Sequence, residues 1–388
     1  MSKLNVRLAQ EQDLVTIRQI WAISFDDPIP FMDWYFENKY SAENTLVYEE
    51  GREIVACMQV LPMDILMRGK AFKTGFVVGV STRPEFRGQG FAGAMLERSF
   101  ELMRQRGIAY TNLYPEPKGF YGYYRKFGYE VGSARQRYLM PGQQLRELPK
   151  SGLTSVAVGA DLDFMPLMQL YEAKMRRFSG SVLRDAASWG LRIGEWKLEQ
   201  HTALLVHDGE ELAAYALYTV NKGVLDAYEI VYRDDAALCC LLNGLGERHS
   251  GKVQCSLPVS CPIYSYLQDG RECMYLEPYG MQRIVDVENA LGGLLTDGKG
   301  QIALAVQDGQ SEGNCDVFTL RSEGGKMTAM RGGEPELRLD IAMLGRIVFG
   351  MSSACELMEL GRIQGSLKAA LRLDGLFPKV ESRIFEKY

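Results

Sequence analysis

A run of small, flexible residues separates an apolar segment from an amphipathic one near residue 90. The apolar segment is "FVVGVS" (76–81), and the run that follows it comprises Arg87, Gly88, Gln89, Gly90, Phe91, Ala92 and Gly93. Glycines let a ligand approach the backbone closely, and the first amides of a helix lack intrahelical acceptors and favour negative charge. The pattern therefore predicts a pyrophosphate cradle at the start of a helix.

Two better-known phosphate-binding loops fit this run less well. The chain has no G-x-x-x-x-G-K-[ST] motif, which argues against a P-loop for nucleoside triphosphates. Gly88, Gly90 and Gly93 match the dinucleotide-binding spacing G-x-G-x-x-G, but the next strand, "IAYTNLYP" (108–115), carries no acid to hold a ribose. Residues 87–92 fit the pattern [Q/R]-x-x-G-x-[G/A] better.

The residues that could move protons are unusual in kind. Histidine is the usual base near neutral pH, but the three histidines are His201, His207 and His249, so the first 200 residues contain none. Tyrosines instead crowd the stretch 121–129. A tyrosine keeps its proton at neutral pH because its ordinary pKa is about 10, so it could serve as an acid. Most buried tyrosines, however, only pack against their neighbours, so a purely structural role for these tyrosines stays open.

Composition excludes several classes of protein. The net charge of −5, without a Lys/Arg stripe, argues against a nucleic-acid binder and suits cationic small substrates. Eight scattered cysteines without a C-x-x-C pair argue against a metal site and against a disulfide framework, and favour a reducing cytoplasm. The chain has no apolar signal region and no apolar run of about 18 residues. We therefore expect a cytoplasmic protein that does not enter membranes.

The elements that position these residues predict an α/β (α+β) protein of several domains. Strands and helices alternate before a linker candidate at 140–153, and composition shifts again near residue 281, which predicts domains at 1–145, 146–280 and 281–388. The strand-to-helix order of the first domain recurs in the second at "YRDDAALCC" (232–240). Two acids stand there in place of glycines, so we expect the second domain not to bind a phosphate ligand.

Two motifs in order carry a family resemblance. The strand "FVVGVSTRP", the loop 87–92, the helix and the segment "FYGYYRKFGYE" (120–130) resemble the GNAT superfamily of acyl-CoA-dependent N-acetyltransferases. Two GNAT-like halves followed by a domain that opens "MQRIVDVENAL" (281–291) resemble the Eis (enhanced intracellular survival) family. The resemblance implies tandem GNAT folds, each a mixed central sheet flanked by helices, and a sterol-carrier-protein-like α+β domain.

The resemblance also implies a cofactor, an assembly and site residues. Acetyl-CoA would be the co-substrate, no metal would be needed, and the assembly would be a homohexamer. Tyr124 would be the proton donor, and the terminal carboxylate of Tyr388 would be the base, with Glu116 and Glu130 as alternatives. The residues that would hold acetyl-CoA are Val80, Ser81, Thr82, Arg87, Gly88, Gln89, Gly90, Phe91, Ala92, Gly93 and Glu116. The longer "PEPKG" loop departs from the family pattern and puts the contact of Glu116 in doubt.

The acceptor is expected to be a primary amine of a small, cationic molecule, aminoglycoside-like or polyamine-like, acetylated by direct transfer in a ternary complex. Asp26, Asp33, Trp34 and Phe36 fall in the early region that lines the acceptor site in GNAT folds, although a helix that packs its aromatics inward explains them equally well. Two alternatives remain. One is a protein or peptide N-acetyltransferase, and the other is a non-enzymatic carrier of lipids or small ligands.

Overall fold

A computed structural model describes residues 5–116, 118–159, 162–261, 263–266 and 273–386. Strands and helices alternate along it, and the predicted mixed α/β class is confirmed. The strands are β1 (Val6–Leu8), β2 (Thr45–Glu50), β3 (Glu53–Met67), β4 (Lys70–Thr82), β5 (Tyr110–Leu113), β6 (Glu130–Val131), β7 (Ala134–Pro141), β8 (Thr154–Val158), β9 (Ser181–Leu183), β10 (Thr202–Asp208), β11 (Glu211–Asn221), β12 (Val224–Tyr232), β13 (Lys252–Leu257), β14 (Cys273–Pro278), β15 (Met281–Ile284), β16 (Gly300–Gln307), β17 (Asp316–Glu323), β18 (Lys326–Arg331), β19 (Leu337–Asp340) and β20 (Gln364–Gly365).

The helices are mostly short, and several begin at a residue whose side chain caps them. They are α1 (Leu14–Ser24), α2 (Ile29–Asn38), α3 (Phe91–Gln105), α4 (Tyr121–Arg125), α5 (Gly142–Leu145), α6 (Met165–Met175), α7 (Ala186–Leu198), α8 (Asp235–Arg248), α9 (Val287–Leu291), α10 (Ile341–Val348), α11 (Ala354–Glu359) and α12 (Leu367–Leu376). In the part of the chain that the structure describes, no helix is both long and apolar enough to cross a bilayer.

The first sheet has the strand order β1-β2-β3-β4-β5-β15-β6, and β9 pairs with β3. Most neighbours are antiparallel, but β4 and β5 run parallel because α3 connects them. The helix α3 packs its apolar face on this sheet through Met95, Leu96, Phe100 and Met103, which are all buried. This packing fixes the start of α3 relative to the end of β4.

The second sheet repeats the plan, with the order β14-β7-β13-β12-β11-β10-β8. The parallel pair here is β12 and β13, and α8 connects them. In each sheet the strand next to the edge is distant in sequence from its neighbours: β15 lies between β5 and β6, and β7 lies between β13 and β14.

This strand placement differs from the expected division of the chain. The protein consists of one compact unit of Met1–Ser133, Ser179–Val182 and Tyr279–Tyr388 and another of Ala134–Phe178 and Leu183–Pro278. Residues 134–141, expected in the first domain, therefore pair in the second sheet. The boundaries 1–145, 146–280 and 281–388 stay predictions for the domains, since composition does not reveal which strands pair.

The third sheet, β18-β17-β16-β19-β20, belongs to the first unit together with α9 to α12. Its core is continuous with residues of the first sheet such as Phe72 and Tyr110. The fully buried Arg283 of β15 pairs with Asp308 at 2.7 Å and donates to the carbonyl of Phe127 at 2.8 Å. That guanidinium holds the segment that follows α4.

Candidate active site

The end of β4 has a free edge. Its parallel pairing with β5 joins Thr74–Val77 to Tyr110–Leu113 and stops there, whereas β4 continues to Thr82. The backbone groups of residues 78–82 on that edge therefore have no partner in β5. Val80 and Thr82 are half-buried and Ser81 is buried. An extended ligand with amide groups could pair with this edge as a further strand would.

A bulge bends β4 at the same point. Gln59 of β3 lies opposite Val78 and Cys57 lies opposite Ser81, so β4 has one residue more than β3 in this interval. Gly79 has φ +61°, and a Cβ atom there would lie 2.3 Å from Cζ3 of Trp21. Only glycine fits the backbone angle and the contact with the indole ring.

The first turn of α3 lacks an internal cap. Gly88 and Gly90 have φ of +77° and +82°, and Gly90 occupies the N-cap position without a side-chain hydrogen bond. The first intrahelical amide is that of Ala94, which donates to the carbonyl of Gly90 at 3.1 Å. The amides of residues 91–93 are therefore left for an external acceptor, as the predicted cradle requires.

The other residues of the loop have separate tasks. A Cβ atom on Gly93 would lie 2.8 Å from the ring of Phe127, so this glycine lets α3 pack closely. Nε of Arg87 donates to the carbonyl of Thr82 at 3.1 Å and so closes the loop on the strand end. Gln89 is exposed, Phe91 is buried, and Ala92 is half-buried.

In the second unit, α8 is the helix that corresponds to α3, and the side chain of Asp234 caps its first turn. Asp234 precedes α8 and accepts from the amide of Ala237 at 3.0 Å, while Nε of Arg233 donates to the same carboxylate at 2.7 Å. The hydrogen bond from Ala237 and the charge of Arg233 lower the pKa of Asp234, which keeps it ionised. A fixed negative charge in this position disfavours a phosphate ligand, and the absence of phosphate binding in the second domain stays a prediction.

Tyr124 lies on α4 among aromatic rings. Its ring centroid is 5.2 Å from that of Tyr123 and 6.0 Å from that of Tyr129. Burial, and the neighbouring Tyr123, raise the pKa of Tyr124 well above its ordinary value, so the hydroxyl stays protonated at neutral pH. A protonated hydroxyl in an apolar setting can serve as a proton donor.

The two alternative bases differ in their surroundings. Oε1 of Glu130 accepts from Arg125 at 2.7 Å, and Oε2 accepts from Arg346 at 3.1 Å. Burial alone would raise the pKa of Glu130, but the hydrogen bond from Arg125 and the two positive charges lower it. Such a carboxylate is a poor base. Glu116 is exposed at the end of the β5 loop.

Tyr388 lies outside the described residues, but the segment before it is well anchored. Arg68 donates to the carbonyl of Pro378 at 2.9 Å, and the amide of Ser179 donates to the carbonyl of Glu381 at 3.0 Å. Phe385 and Glu386 are both more than nine-tenths buried. The chain is thus fixed to within two residues of Tyr388.

The four residues expected on the acceptor side differ in their exposure and in their partners. Asp26 is exposed, and Asp33 forms an ion pair with Arg18. Trp34 is half-buried, with the Lys39 ammonium 5.1 Å from its ring centroid. Phe36 packs inward, buried in the aromatic cluster of α1 and α2.

Sequence reasoning overlooked the residues that line the bulge. Trp21 packs on Gly79 and donates from Nε1 to Asp27 at 2.8 Å, while the hydroxyl of Tyr35 donates to Gln59 at 3.3 Å. The signal that could have found the bulge is a glycine in the interior of an apolar strand. Within the described ranges, no group of three or more His, Cys, Asp or Glu residues is placed to hold a metal ion.

Three regions of the chain match known domain families. Residues 5–132 and residues 180–284 each match an acetyltransferase (GNAT) domain, and residues 287–385 match a sterol carrier protein domain. The predicted tandem GNAT folds and sterol-carrier-protein-like domain are confirmed.

Solved structures share this fold over the whole chain. A GCN5-related N-acetyltransferase from Anabaena variabilis has a TM-score of 0.86 at 20% identity, covering 99% of both chains. A probable N-acyltransferase of unknown function from Enterococcus faecalis has a TM-score of 0.88 at 18% identity, covering 99% of both. Eis1 from Mycobacterium abscessus has a TM-score of 0.80 at 18% identity, covering 99% of this chain and all of that one. At this identity the likeness establishes a common fold.

Replacing Gly88 by alanine tests the cradle. Alanine strains the positive φ by about 1–2 kcal/mol and turns the neighbouring amides, so we expect the Kd for CoA to rise about tenfold. Gly51→Ala, in the hairpin between β2 and β3, is the matched control, because its φ is +66° and a methyl group at either position has open space. Calorimetric titration with CoA measures both variants. Unchanged binding by Gly88→Ala would contradict the assignment.

Proposed function

Because the chain belongs to the GNAT N-acetyltransferases and has the Eis-like domain organisation, we propose that it acetylates a primary amine of a small, cationic acceptor. The transfer would be direct, in a ternary complex of the enzyme, acetyl-CoA and the amine. The observation that carries the proposal is the uncapped first turn of α3 beside the free edge of β4. The helix start offers the positive end of its dipole and free amides to a pyrophosphate, and the edge of β4 offers backbone groups to the amides of an extended chain.

Acetyl-CoA supplies an acyl group activated as a thioester. The GNAT domains imply it as the co-substrate, and the residues present fit it. We assign the pyrophosphate to the amides of residues 88–93 and the pantetheine amides to the edge at Val80, Ser81 and Thr82. Arg87 acts by closing the loop. Glu116 is the least supported of the proposed contacts, because it is exposed.

Two protons must move for the reaction to balance. A bond forms between the amine nitrogen and the acyl carbon, the carbon–sulfur bond breaks, the amine loses a proton and the sulfur gains one. We assign the second proton to Tyr124, whose hydroxyl is protonated at neutral pH. Glu130 is unsuited to take the first proton because Arg125 and Arg346 lower its pKa and so weaken its affinity for a proton.

We assign the first proton to the terminal carboxylate of Tyr388. Support comes from the anchored segment up to Glu386, since a fixed chain can deliver its end to one place. Tyr388 is the third residue after Phe385, so the chain between them reaches at most about 10 Å. A terminal carboxyl with an ordinary pKa near about 3.5 would act directly after burial, or through a water molecule.

Asp26 and Trp34 are the proposed contacts for a cationic acceptor, since both are accessible. Asp33 already forms an ion pair with Arg18. Phe36 is buried, so it would bound the site from the interior of the protein. The cytoplasmic location and the homohexamer stay predictions of the family resemblance.

Tyr124→Phe removes only the hydroxyl, which is the proposed acid, and keeps the ring. We expect kcat to fall by a factor of about 10²–10⁴, with the KM for acetyl-CoA unchanged. Thiol release from acetyl-CoA with a polyamine or an aminoglycoside as acceptor measures this. Tyr123→Phe, on the next ring of the same helix, is the control and keeps kcat within a factor of about three. A Tyr124→Phe enzyme that is as active as its control would rule out the role.

A few residues added after Tyr388 test the base. The extended protein should bind acetyl-CoA as tightly as the native chain but turn over at least about 100-fold more slowly, because its carboxylate is displaced. The same residues added before Met1 serve as the control. Equal activity of the extended and native chains would leave the fold assignment intact and move the search for a base to Glu116.

A further inference from the structure

The first sheet and the C-terminal segment contribute three buried polar side chains to one compact unit. Asn112 of β5, Gln282 of β15 and Ser382 are 3%, 2% and 5% exposed. Within the part of the chain that the structure describes, both ends of the Gln282 amide, one end of the Asn112 amide and the Ser382 hydroxyl have no hydrogen-bond partner. Folded proteins leave few buried polar groups in this condition, so each of these atoms calls for an explanation.

Asn112 and Gln282 are neighbours across the sheet. They lie directly opposite each other in the antiparallel pairing of β15 with β5. Their side chains therefore project from the same face of the sheet, with Cβ atoms about 5 Å apart. Oδ1 of Asn112 accepts from the hydroxyl of Thr74 at 2.9 Å. That bond occupies one end of the Asn112 amide and leaves Nδ2 as the end that still needs a partner.

Two glycines from separate segments make room for the Gln282 amide and bring Ser382 to it. A Cβ atom on Gly132 would lie 2.5 Å from Oε1 of Gln282. A Cβ atom on Gly180 would lie 3.2 Å from Nε2 of Gln282 and 2.8 Å from Oγ of Ser382. The amide and the hydroxyl thus lie beside the same backbone position. We refer to Asn112, Gln282 and Ser382 as the buried amide cluster.

The chemistry of the buried amide cluster determines what it can bind. Its unpartnered atoms comprise two amide nitrogens that donate, one amide oxygen that accepts and a hydroxyl that does either. None of the three side chains carries a charge. The carboxylate of Glu130, which lies opposite Gln282 in β6, already accepts from Arg125 and Arg346. The cluster therefore suits a neutral species that both donates and accepts hydrogen bonds, and it does not compensate the charge of an ion.

The surroundings of the cluster restrict the size of this species. The unpartnered atoms are shut off from solvent. Tyr110 and Ile284, two residues along the same strands, belong to the apolar core on this face of the sheet. A molecule held between such a core and three polar side chains must be small, and a water molecule meets this condition with two to four polar partners.

We propose that the buried amide cluster binds at least one internal water molecule, which links β5, β15 and the C-terminal segment by hydrogen bonds. Each of the three side chains then gains a partner that the protein itself does not supply. The site is separate from the proposed acetyl transfer, and the proposal holds or fails independently of that function.

Crystallography of the native chain at high resolution is the direct test. We expect density for a water molecule within about 3.2 Å of the Gln282 amide and within hydrogen-bond distance of Asn112 or Ser382. Density that shows these side chains bonded directly to one another, with no water between them, would overturn the proposal. This experiment uses no variant, so it does not depend on whether a substituted chain folds.

Gln282→Met tests the same site in solution, because it keeps roughly the size of the side chain and removes both polar ends. With water bound, the substitution leaves the water, Asn112 and Ser382 with fewer partners, so we expect Tm to fall by about 1–3 °C. Gln59→Met is the matched control. Gln59 lies in β3 of the same sheet, is also 2% exposed, and accepts directly from Tyr35, so its loss should lower Tm in the same way.

The sign of the change in Tm decides between a hydrated and a dry cluster. In a dry cluster, Gln282→Met would remove two unpartnered polar groups from the interior and raise Tm, and that result would overturn the proposal. Magnetic relaxation dispersion of the water oxygen counts long-lived internal water molecules. We expect the native chain to hold at least one more of them than Gln282→Met, whereas equal numbers in the two proteins would contradict the assignment.

Discussion

The first turn of α3 is the constraint on which the rest of the site depends. Its amides have no internal acceptor because Gly90 stands at the N-cap, and the equivalent turn of α8 is filled by the Asp234 carboxylate. The two helices follow parallel strand pairs of the same plan. The two helices therefore differ in whether a carboxylate caps the first turn, and this difference is the reason that we assign the proposed chemistry to the first unit.

The surroundings of α3 serve to keep that turn open and next to a strand end. Trp21 packs on the bulge at Gly79, and Arg87 closes the loop on Thr82. The buried pair of Arg283 and Asp308 holds the segment after α4 from a strand that arrives late in the chain. Residues from both ends of the chain are thus needed to build one unit.

Much of this could be predicted from sequence, for a physical reason. The loop 87–93 and the helix after it carry local signals, since glycine conformation and helix amphipathicity depend on neighbouring residues. The exchange of β7 and β15 between the sheets could not be predicted, because long-range pairing leaves no mark in composition. The ion pairs of Asp33 with Arg18 and of Glu130 with Arg346 could not be predicted either, because each joins two separate segments of the fold.

The stoichiometry of CoA binding tests the central claim most directly. Calorimetric titration of the native chain with acetyl-CoA should give one site per chain, because α3 presents an uncapped first turn between its two parallel strands and α8, in the same place of the second sheet, does not. Asp234→Gly, which removes the carboxylate that caps the first turn of α8, should leave the affinity of the α3 site unchanged. Two sites in the native chain, or none, would contradict the account.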